Sequence, residues 1–232
     1  MIDIHTHILP KIDDGSASPE QTNEILDLMY RQGITTVGAT SHFYANHETP
    51  AKFLARREKA VARMIPSENP QPKILLGAEV AYFSGIGICE DIIPLQLGNT
   101  KLLLVEMPFA DWSERMIKEI CEMPQNLGLI PVLAHVNRYR GKRQFTKYRE
   151  KLAKAGVLFQ CNGDIFLERF KRNWALKQLK DGYIHFLGSD CHNMESRPSN
   201  LDAASQVITK RLGARVLEKL NNEAHRLLFE NA

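Results

Sequence analysis

The sequence is sparing with cysteine and has no C-x-x-C pair. Cys89, Cys121, Cys161 and Cys191 lie far apart, which excludes a zinc knuckle and a disulfide framework and suits a reducing cytoplasm. It has no apolar run near the roughly 20 residues that a bilayer-spanning helix needs, and no room for a signal peptide before His5, so we expect a soluble cytoplasmic protein without an integral membrane segment. It has no strong charge excess: a formal balance of +3 gives no argument for nucleic acid as a partner. It also lacks repeats, low-complexity tracts and Pro/Gly/Ser-rich linkers, so residues 1–232 are expected to form one domain.

What is present is concentrated in metal-ligand side chains, beginning with Ile2-Asp3-Ile4-His5-Thr6-His7 and continuing through Asp13-Asp14-Gly15. In an extended segment, side chains two apart share a face, so His5 and His7 offer two imidazoles to one ion. Ile2 and Ile4 alternate with them only imperfectly, which reads as a short buried strand opening into the histidine pair.

Further apolar runs follow, and each ends on a polar residue. Residues 34–40 lead to Ser41-His42, 73–78 to Glu79, 102–105 to Glu106 and 129–134 to His135. Residues 157–161 lead to Asn162, and 184–189 to Asp190-Cys191-His192. Helical patterns separate the runs. Ser18-Pro19-Glu20-Gln21 predicts a capped start with Pro at the first helical position and Gln closing a capping box. Others cover 50–64, 116–127, 166–179 and 201–228, the last breaking near Gly213. Seven continuous apolar strands alternating with helices predict an α/β fold with a parallel sheet. A doubly wound open sheet gathers its site at one crevice, whereas a closed barrel brings every strand end to one mouth. The scatter of polar residues over six strand ends therefore favours a seven-stranded (β/α)7 TIM-like barrel.

The collected candidates are His5, His7, Asp14, His42, Glu79, Glu106, His135, Asp190 and His192. Any single histidine among them could be a core residue satisfied by a backbone carbonyl; nine together, each at a strand end or in its first loop, point to a multinuclear metal cluster. Buried carboxylates at Glu79 and Glu106 need a paired cation. His47 in a polar loop, His185 within a strand and His225 on the terminal helix take the structural reading. The basic run Arg138, Arg140, Lys142, Arg143, Lys147, Arg149 and Lys151 reads as a solvated face whose first members reach the mouth and can attract phosphate.

His-Thr-His near the start, Thr-Ser-His after the second strand, Gly-Ala-Glu, a later Glu, Ala-His-Val-Asn-Arg and Ser-Asp-Cys-His-Asn together resemble the polymerase and histidinol phosphatase superfamily of metal-dependent phosphoesterases. His-Ile-Leu-Pro-x-Ile-Asp-Asp-Gly is similar to its branch of bacterial capsule and exopolysaccharide protein tyrosine phosphatases, and the match runs from His5 to Arg197. The resemblance implies a distorted seven-stranded barrel with up to three divalent ions. It assigns His5, His7, Glu79 and Asp190 to one ion; bridging Glu79 with Glu106 and His135 to a second; and Asp14, His42 and His192 to a third. It implies phosphate binding by Arg138 and Arg197, and Asp13 takes an orienting place beside a ligand. Cys191 departs from the pattern, a non-thiol residue such as Met being more usual there.

The resemblance implies hydrolysis of phosphotyrosine on the tail of a bacterial tyrosine kinase that regulates capsular or extracellular polysaccharide synthesis. A metal-bridged hydroxide would attack phosphorus in line, since metal binding lowers the pKa of water from 15.7 toward about 7. It suggests Mn²⁺, while His and carboxylate donors also suit Fe, Zn²⁺ or Mg²⁺. Histidinol phosphate is the alternative substrate within the superfamily. Two readings outside it are a cysteine-dependent phosphatase through the Cys191-x5-Arg197 spacing and a binding module that has lost catalysis. The first lacks the glycine that helps a phosphate-cradling loop, and the second would be expected to have lost ligands.

Overall fold

The structure is a computed structural model that describes residues 1–141 and 143–230, with the side chains of residues 143 and 144 outside that description. Lys142 of the basic run therefore lies outside the described residues, as does the side chain of Arg143.

In chain order the elements are β1 (Ile2–Thr6), α1 (Pro19–Arg31), β2 (Thr36–Ala39), β3 (His42–Phe43), α2 (Pro50–Val61), β4 (Lys73–Leu76) and β5 (Glu79–Ala81). They continue with β6 (Leu102–Glu106), α3 (Glu114–Leu127), β7 (Ile130–Leu133), α4 (Arg143–Lys154), β8 (Leu158–Asn162), α5 (Asp164–Leu167), α6 (Arg172–Lys180), β9 (Phe186–Gly188), α7 (Leu201–Leu212) and α8 (Ala214–Phe229). All strand pairs are parallel, as expected of apolar runs separated by helices.

The strands are more broken than the sequence suggests. A three-stranded sheet has the order β1-β2-β4, and a curled six-stranded sheet, half of a barrel, has the order β3-β5-β6-β7-β8-β9. The expected second and third strands are each interrupted, because their two halves have different neighbours. β2 lies between β1 and β4, while β3 pairs with β5. At the first break, Thr40 N–H donates to the Thr6 carbonyl, and the Glu79 N–H is shared between the Thr40 and Ser41 carbonyls. β1 also meets the chain beyond β9: Asp190 N–H donates to His5 O at 2.9 Å and His7 N–H to Cys191 O at 2.8 Å.

Two apolar clusters hold these elements. The larger lies between strands and helices and includes Ile25, Leu26, Val37, Phe43, Leu103, Ile117, Phe159 and Phe166. The smaller gathers Ile2, Ile4, Leu102, Leu104, Val132 and Phe186 against Ala224 and Leu228 of α8. Among the helices, α1 starts as read, with Ser18 accepting from Gln21 N–H and Pro19 opening the helix, although the Gln21 side chain accepts from Ala17 N–H rather than closing the box on Ser18. The final stretch breaks at Gly213, whose φ is +89°. The expected helix over 166–179 is two helices, α5 and α6, with Glu168 to Lys171 between them, and the helix expected over 116–127 begins two residues earlier, at Glu114 behind a Ser113 cap.

Candidate metal centre

The register of β1 against β2 slips: Asp3 faces Val37, but Thr6 faces Ala39, so one extra residue is inserted in β1. A bulge of this kind reverses which alternate residues face a given side. Ile2 and Ile4 thus join the smaller apolar cluster while His5 and His7 project into the polar centre, which explains their imperfect alternation. After His7 the chain folds back on itself, with Ser16 N–H donating to the His7 carbonyl at 2.9 Å. A Cβ at Gly15 would lie 2.0 Å from that carbonyl oxygen, so the third residue of Asp13-Asp14-Gly15 has to be glycine.

The other candidates arrive from neighbouring strands. β3 brings His42, β5 Glu79 and β6 Glu106; His135 follows β7, and Asp190 and His192 follow β9. His135 and Asp190 have φ of +31° and +56°, in the left-handed region that costs about 1–3 kcal/mol for a residue with a side chain and marks a functional constraint.

All nine residues come together. His5 Nε2 is 3.3 Å from Glu79 Oε2 and 3.6 Å from Asp190 Oδ1, and His7 Nε2 is 3.4 and 3.6 Å from the same two atoms. His135 Nε2 lies 2.8 Å from Glu79 Oε1 and 3.2 Å from Glu106 Oε1. Asp14 Oδ1 is 3.5 Å from His42 Nε2 and 3.4 Å from His192 Nε2. His7 also groups with Asp14, His42 and His192, so it stands where two of the three clusters meet. Asp14 is the exposed member, and a cleft of about 490 Å³ lined by Asp13, Asp14, His42, Tyr44, His47, Glu48 and Arg56 opens beside it.

Glu79 Oε2 is the centre of this arrangement. It is buried, with His5 Nε2, His7 Nε2 and His42 Nδ1 at 3.3, 3.4 and 2.9 Å, yet among the described residues it makes no hydrogen bond. His42 Nδ1 and His192 Nε2 are likewise buried without a hydrogen-bond partner. Buried polar atoms gathered this closely without hydrogen bonds are the arrangement that a shared cation would satisfy. Donors about 2.1 Å from a tetrahedral ion are about 3.4 Å apart, close to the 3.3 and 3.4 Å that separate Glu79 Oε2 from His5 Nε2 and His7 Nε2.

The outer ring nitrogens are held so that inner lone pairs face the centre. His7 Nδ1–H donates to Asp13 Oδ2 at 2.7 Å, His5 Nδ1–H to Gln160 Oε1 at 3.2 Å and His192 Nδ1–H to the Asp190 carbonyl at 2.9 Å. Asp13 thus has the orienting place expected of it, and it also accepts from His42 N–H at 3.0 Å. Gln160 and Asn162 were not among the candidates. Gln160 Oε1 also accepts from His135 N–H at 2.6 Å, its amide donates to Asn162 Oδ1, and Asn162 Nδ2 donates to Asp190 Oδ2 at 3.1 Å. The signal for Gln160 was a polar residue inside an apolar strand, buried here against Gly188, where a Cβ would lie 2.4 Å from its amide nitrogen.

Electrostatics follow from burial among carboxylates. Burial opposes ionisation of Glu79, but the adjacent histidines outweigh it and hold its carboxyl well below the usual range. Burial likewise opposes ionisation of Asp190, and its neighbours His5, His7 and Arg197 bring it to about 2. His7 is driven up to about 10: desolvation lowers it, but Asp13 and Glu79 prevail. Imidazoles must be deprotonated to bind a metal, so metal affinity falls as pH falls.

Arg138 and Arg197 reach the same carboxylate, each placing Nη2 2.8 Å from Asp190 Oδ2 at the mouth. Cys191 cannot serve as a nucleophile as it stands: its thiol is buried, donates to the Asn193 carbonyl and is pushed up to about 12 by burial. His185 accepts from Phe159 N–H through Nδ1, and His225 lies on the surface beside Glu230, as their structural reading requires. His47 is at the rim of the cleft, 5.3 Å from the Tyr44 ring.

Comparison with known proteins agrees across the chain. The family described as "Capsular polysaccharide synthesis, CpsB/CapC" matches residues 1–230. The tyrosine-protein phosphatase YwqE of Bacillus subtilis is 31% identical over 98% of this chain and 91% of its own. The tyrosine-protein phosphatase CpsB of Streptococcus agalactiae is 30% identical over 100% of this chain and 96% of its own. Among solved structures, one from a study of YwqE from Bacillus subtilis and CpsB from Streptococcus pneumoniae, described as metal-dependent tyrosine phosphatases, superposes with a TM-score of 0.82 at 27% identity, covering 100% of this chain and 96% of that one.

Proposed function

The chain belongs to the CpsB/CapC family of capsular polysaccharide synthesis, and from that premise we propose that it is a metal-dependent protein tyrosine phosphatase. The observation that carries this is Glu79 Oε2, buried within 3.4 Å of three imidazole nitrogens and bonded to none of them. His5, His7, Glu79 and Asp190 would hold one ion, Glu79, Glu106 and His135 a second, and Asp14, His42 and His192 a third. Manganese is our choice of metal; oxygen and imidazole donors without thiolate suit it. Bound there, divalent ions supply charge neutralisation and lower the pKa of water.

The chain's own groups bind and align. Arg138 and Arg197 hold non-bridging phosphate oxygens, for which a planar guanidinium offers two parallel donors. Their present hold on Asp190 places both forks at the mouth. Gln160 and Asp13 keep His5 and His7 in the tautomer with Nε2 free. A phenol leaving group, with a reference pKa of about 10, departs with little help from an acid.

The substrate we favour is phosphotyrosine on a flexible protein segment, the tail of a bacterial tyrosine kinase. The chain between Glu106 and α3 is only residues 107–113, too little to cover a small metabolite. On the same footing we read the strands as seven staves of a distorted barrel, β2 with β3 and β4 with β5 each forming one interrupted stave. The hydrogen bonds from Asp190 to His5 and from His7 to Cys191 support closure. Four unpaired cysteines support a reducing cytoplasmic setting, and no helix among the described residues is long and apolar enough to cross a membrane.

The test is kcat/KM for a phosphotyrosine peptide, a phosphoserine peptide and histidinol phosphate under saturating Mn²⁺, with elemental analysis of the purified protein. We expect the phosphotyrosine peptide to lead and Cys191→Ser to stay active. A tenfold preference for histidinol phosphate would overturn the substrate. A dead Cys191→Ser beside an active chelated enzyme would overturn the metal chemistry.

A further inference from the structure

The short segment after β6 carries Phe109 on the rim of the mouth, 51% exposed. Two buried aromatic residues fix the backbone on which it stands. The Tyr139 hydroxyl donates to the Met107 carbonyl, and the Trp112 indole N–H donates to the Pro108 carbonyl at 2.9 Å. Trp112 and Tyr139 meet edge to face with centroids 4.8 Å apart, so the two staples brace each other. The residues immediately before Phe109 are thus tied down at both carbonyls, and its ring sits 6.0 Å from that of Tyr139.

The same ring faces the centre's arginine. The Arg138 guanidinium carbon lies 5.9 Å from the Phe109 centroid, inside the roughly 6 Å range of cation–π attraction. Arg138 Nη1 is 3.3 Å from His135 Nε2, so one guanidinium spans from the candidate ligands to the Phe109 ring. A phosphate held by Arg138 places its ester oxygen, and whatever is attached to it, beside that guanidinium. In an aryl ester the ring begins at the next atom; in a serine ester a single flexible methylene follows.

We propose that Phe109 is a specificity-determining residue, a fixed shelf on which the aromatic ring of an aryl phosphomonoester packs while Arg138 holds its phosphate. This rests on the phosphatase reading above and names how that site separates aryl from alkyl esters. Offset or edge-to-face ring pairs with centroids 4.5–7 Å apart add about three- to tenfold in binding beyond the area they bury. Because the shelf touches the ring and not the reacting bond, its effect falls on KM rather than kcat.

The experiment uses the Mn²⁺-loaded protein, Phe109→Ala and Phe109→Tyr. One arm measures kcat and KM on phosphotyrosine and phosphoserine peptides of one sequence. The other measures binding of phenylphosphonate and methylphosphonate by calorimetry, which needs no turnover. We expect Phe109→Ala to raise KM for the phosphotyrosine peptide about three- to tenfold with kcat and metal content unchanged. The phosphoserine peptide should shift less than about twofold, the phenyl-to-methyl binding ratio should drop by the same three- to tenfold, and Phe109→Tyr should restore both. Equal losses on both peptides, or an unchanged phenyl-to-methyl ratio, would overturn the shelf. If wild type binds phenylphosphonate in a Phe109-dependent way yet hydrolyses neither peptide, the shelf stands and the phosphatase reading falls.

Discussion

Along β1, Ile2 and Ile4 share an apolar cluster with Leu102, Leu104, Val132 and Phe186, closed off by Ala224 and Leu228 of α8, whereas His5 and His7 a few ångströms further on face Glu79 and Asp190. The two layers are equally buried, but opposite terms hold them. In the apolar floor, each side chain removed from water contributes favourably, with a loss on truncation set by the volume left behind. In the polar layer, burying Glu79 and Asp190 opposes folding, and only a compensating cation makes it tolerable. Stability is therefore concentrated at one end of the strands and chemistry at the other. The same pattern runs up β6, where Leu104 belongs to the floor and Glu106 to the mouth.

This contrast predicts which perturbations separate activity from stability. The largest effect should come from chelation: stripping divalent ions is expected to lower kcat on a phosphotyrosine peptide by roughly 10³ or more while far-ultraviolet circular dichroism keeps its helical signal, since the floor needs no metal. Activity that persists in protein shown by elemental analysis to be metal-free would break the comparison. Next, Glu79→Ala and His135→Ala should lose bound metal along with orders of magnitude in kcat; unchanged metal stoichiometry in both would refute their assignment. Arg138→Ala and Arg197→Ala should keep their metal and cost about 10²–10³ in rate, the usual loss for one donor to a developing anion. Metal loss in either would place that arginine in the scaffold instead.

The remaining two effects are on stability. Leu104→Ala should lower unfolding free energy by about 2–5 kcal/mol in urea titration and leave kcat/KM of the folded, metal-loaded enzyme nearly unchanged. A comparable loss of catalysis would show that floor and mouth are coupled. The smallest effect concerns Asp3, at the level where the layers meet. Burial pushes its carboxyl up to about 6 from the ordinary value near 3.9. Between those values the folded chain keeps a proton that the unfolded chain has released, so metal-free stability falls as pH rises from about 4 to 6. Asp3→Asn should flatten that slope, and urea midpoints across this range that move in parallel for both proteins would discard the assignment.

The residues at the mouth were legible because they follow a simple rule, an apolar run ending on an ionisable group, and all nine candidates converge. The floor was legible only as apolar runs; which residue faced which side of β1 depended on a bulge that leaves no trace in composition. The splitting of the second and third strands was hidden as well, since Thr40-Ser41 and Gly77-Ala78 continue the strand pattern and only their change of neighbours reveals the break. Gln160 escaped because an amide carries no charge that must be explained, although it connects His5, His135 and, through Asn162, Asp190. Fixing of Phe109 by Tyr139 and Trp112 was equally invisible, being a matter of which carbonyls two distant rings can reach.

The position of β1 also orders events in time. Its neighbours are β2, which follows soon after it, and the segment after β9, where Ser189 N–H reaches Asp3 across a separation of 186 residues. At a synthesis rate of about 5–20 residues per second, His5 and His7 leave the ribosome on the order of ten to forty seconds before Asp190 and His192 exist. During that interval the histidine pair has β2 beside it and an open edge on its other side. A nascent chain can offer two imidazoles but cannot bring all nine candidate donors together, so the complete centre belongs to the finished chain, whose last segment covers the remaining edge of β1 through the Asp190 and Cys191 hydrogen bonds.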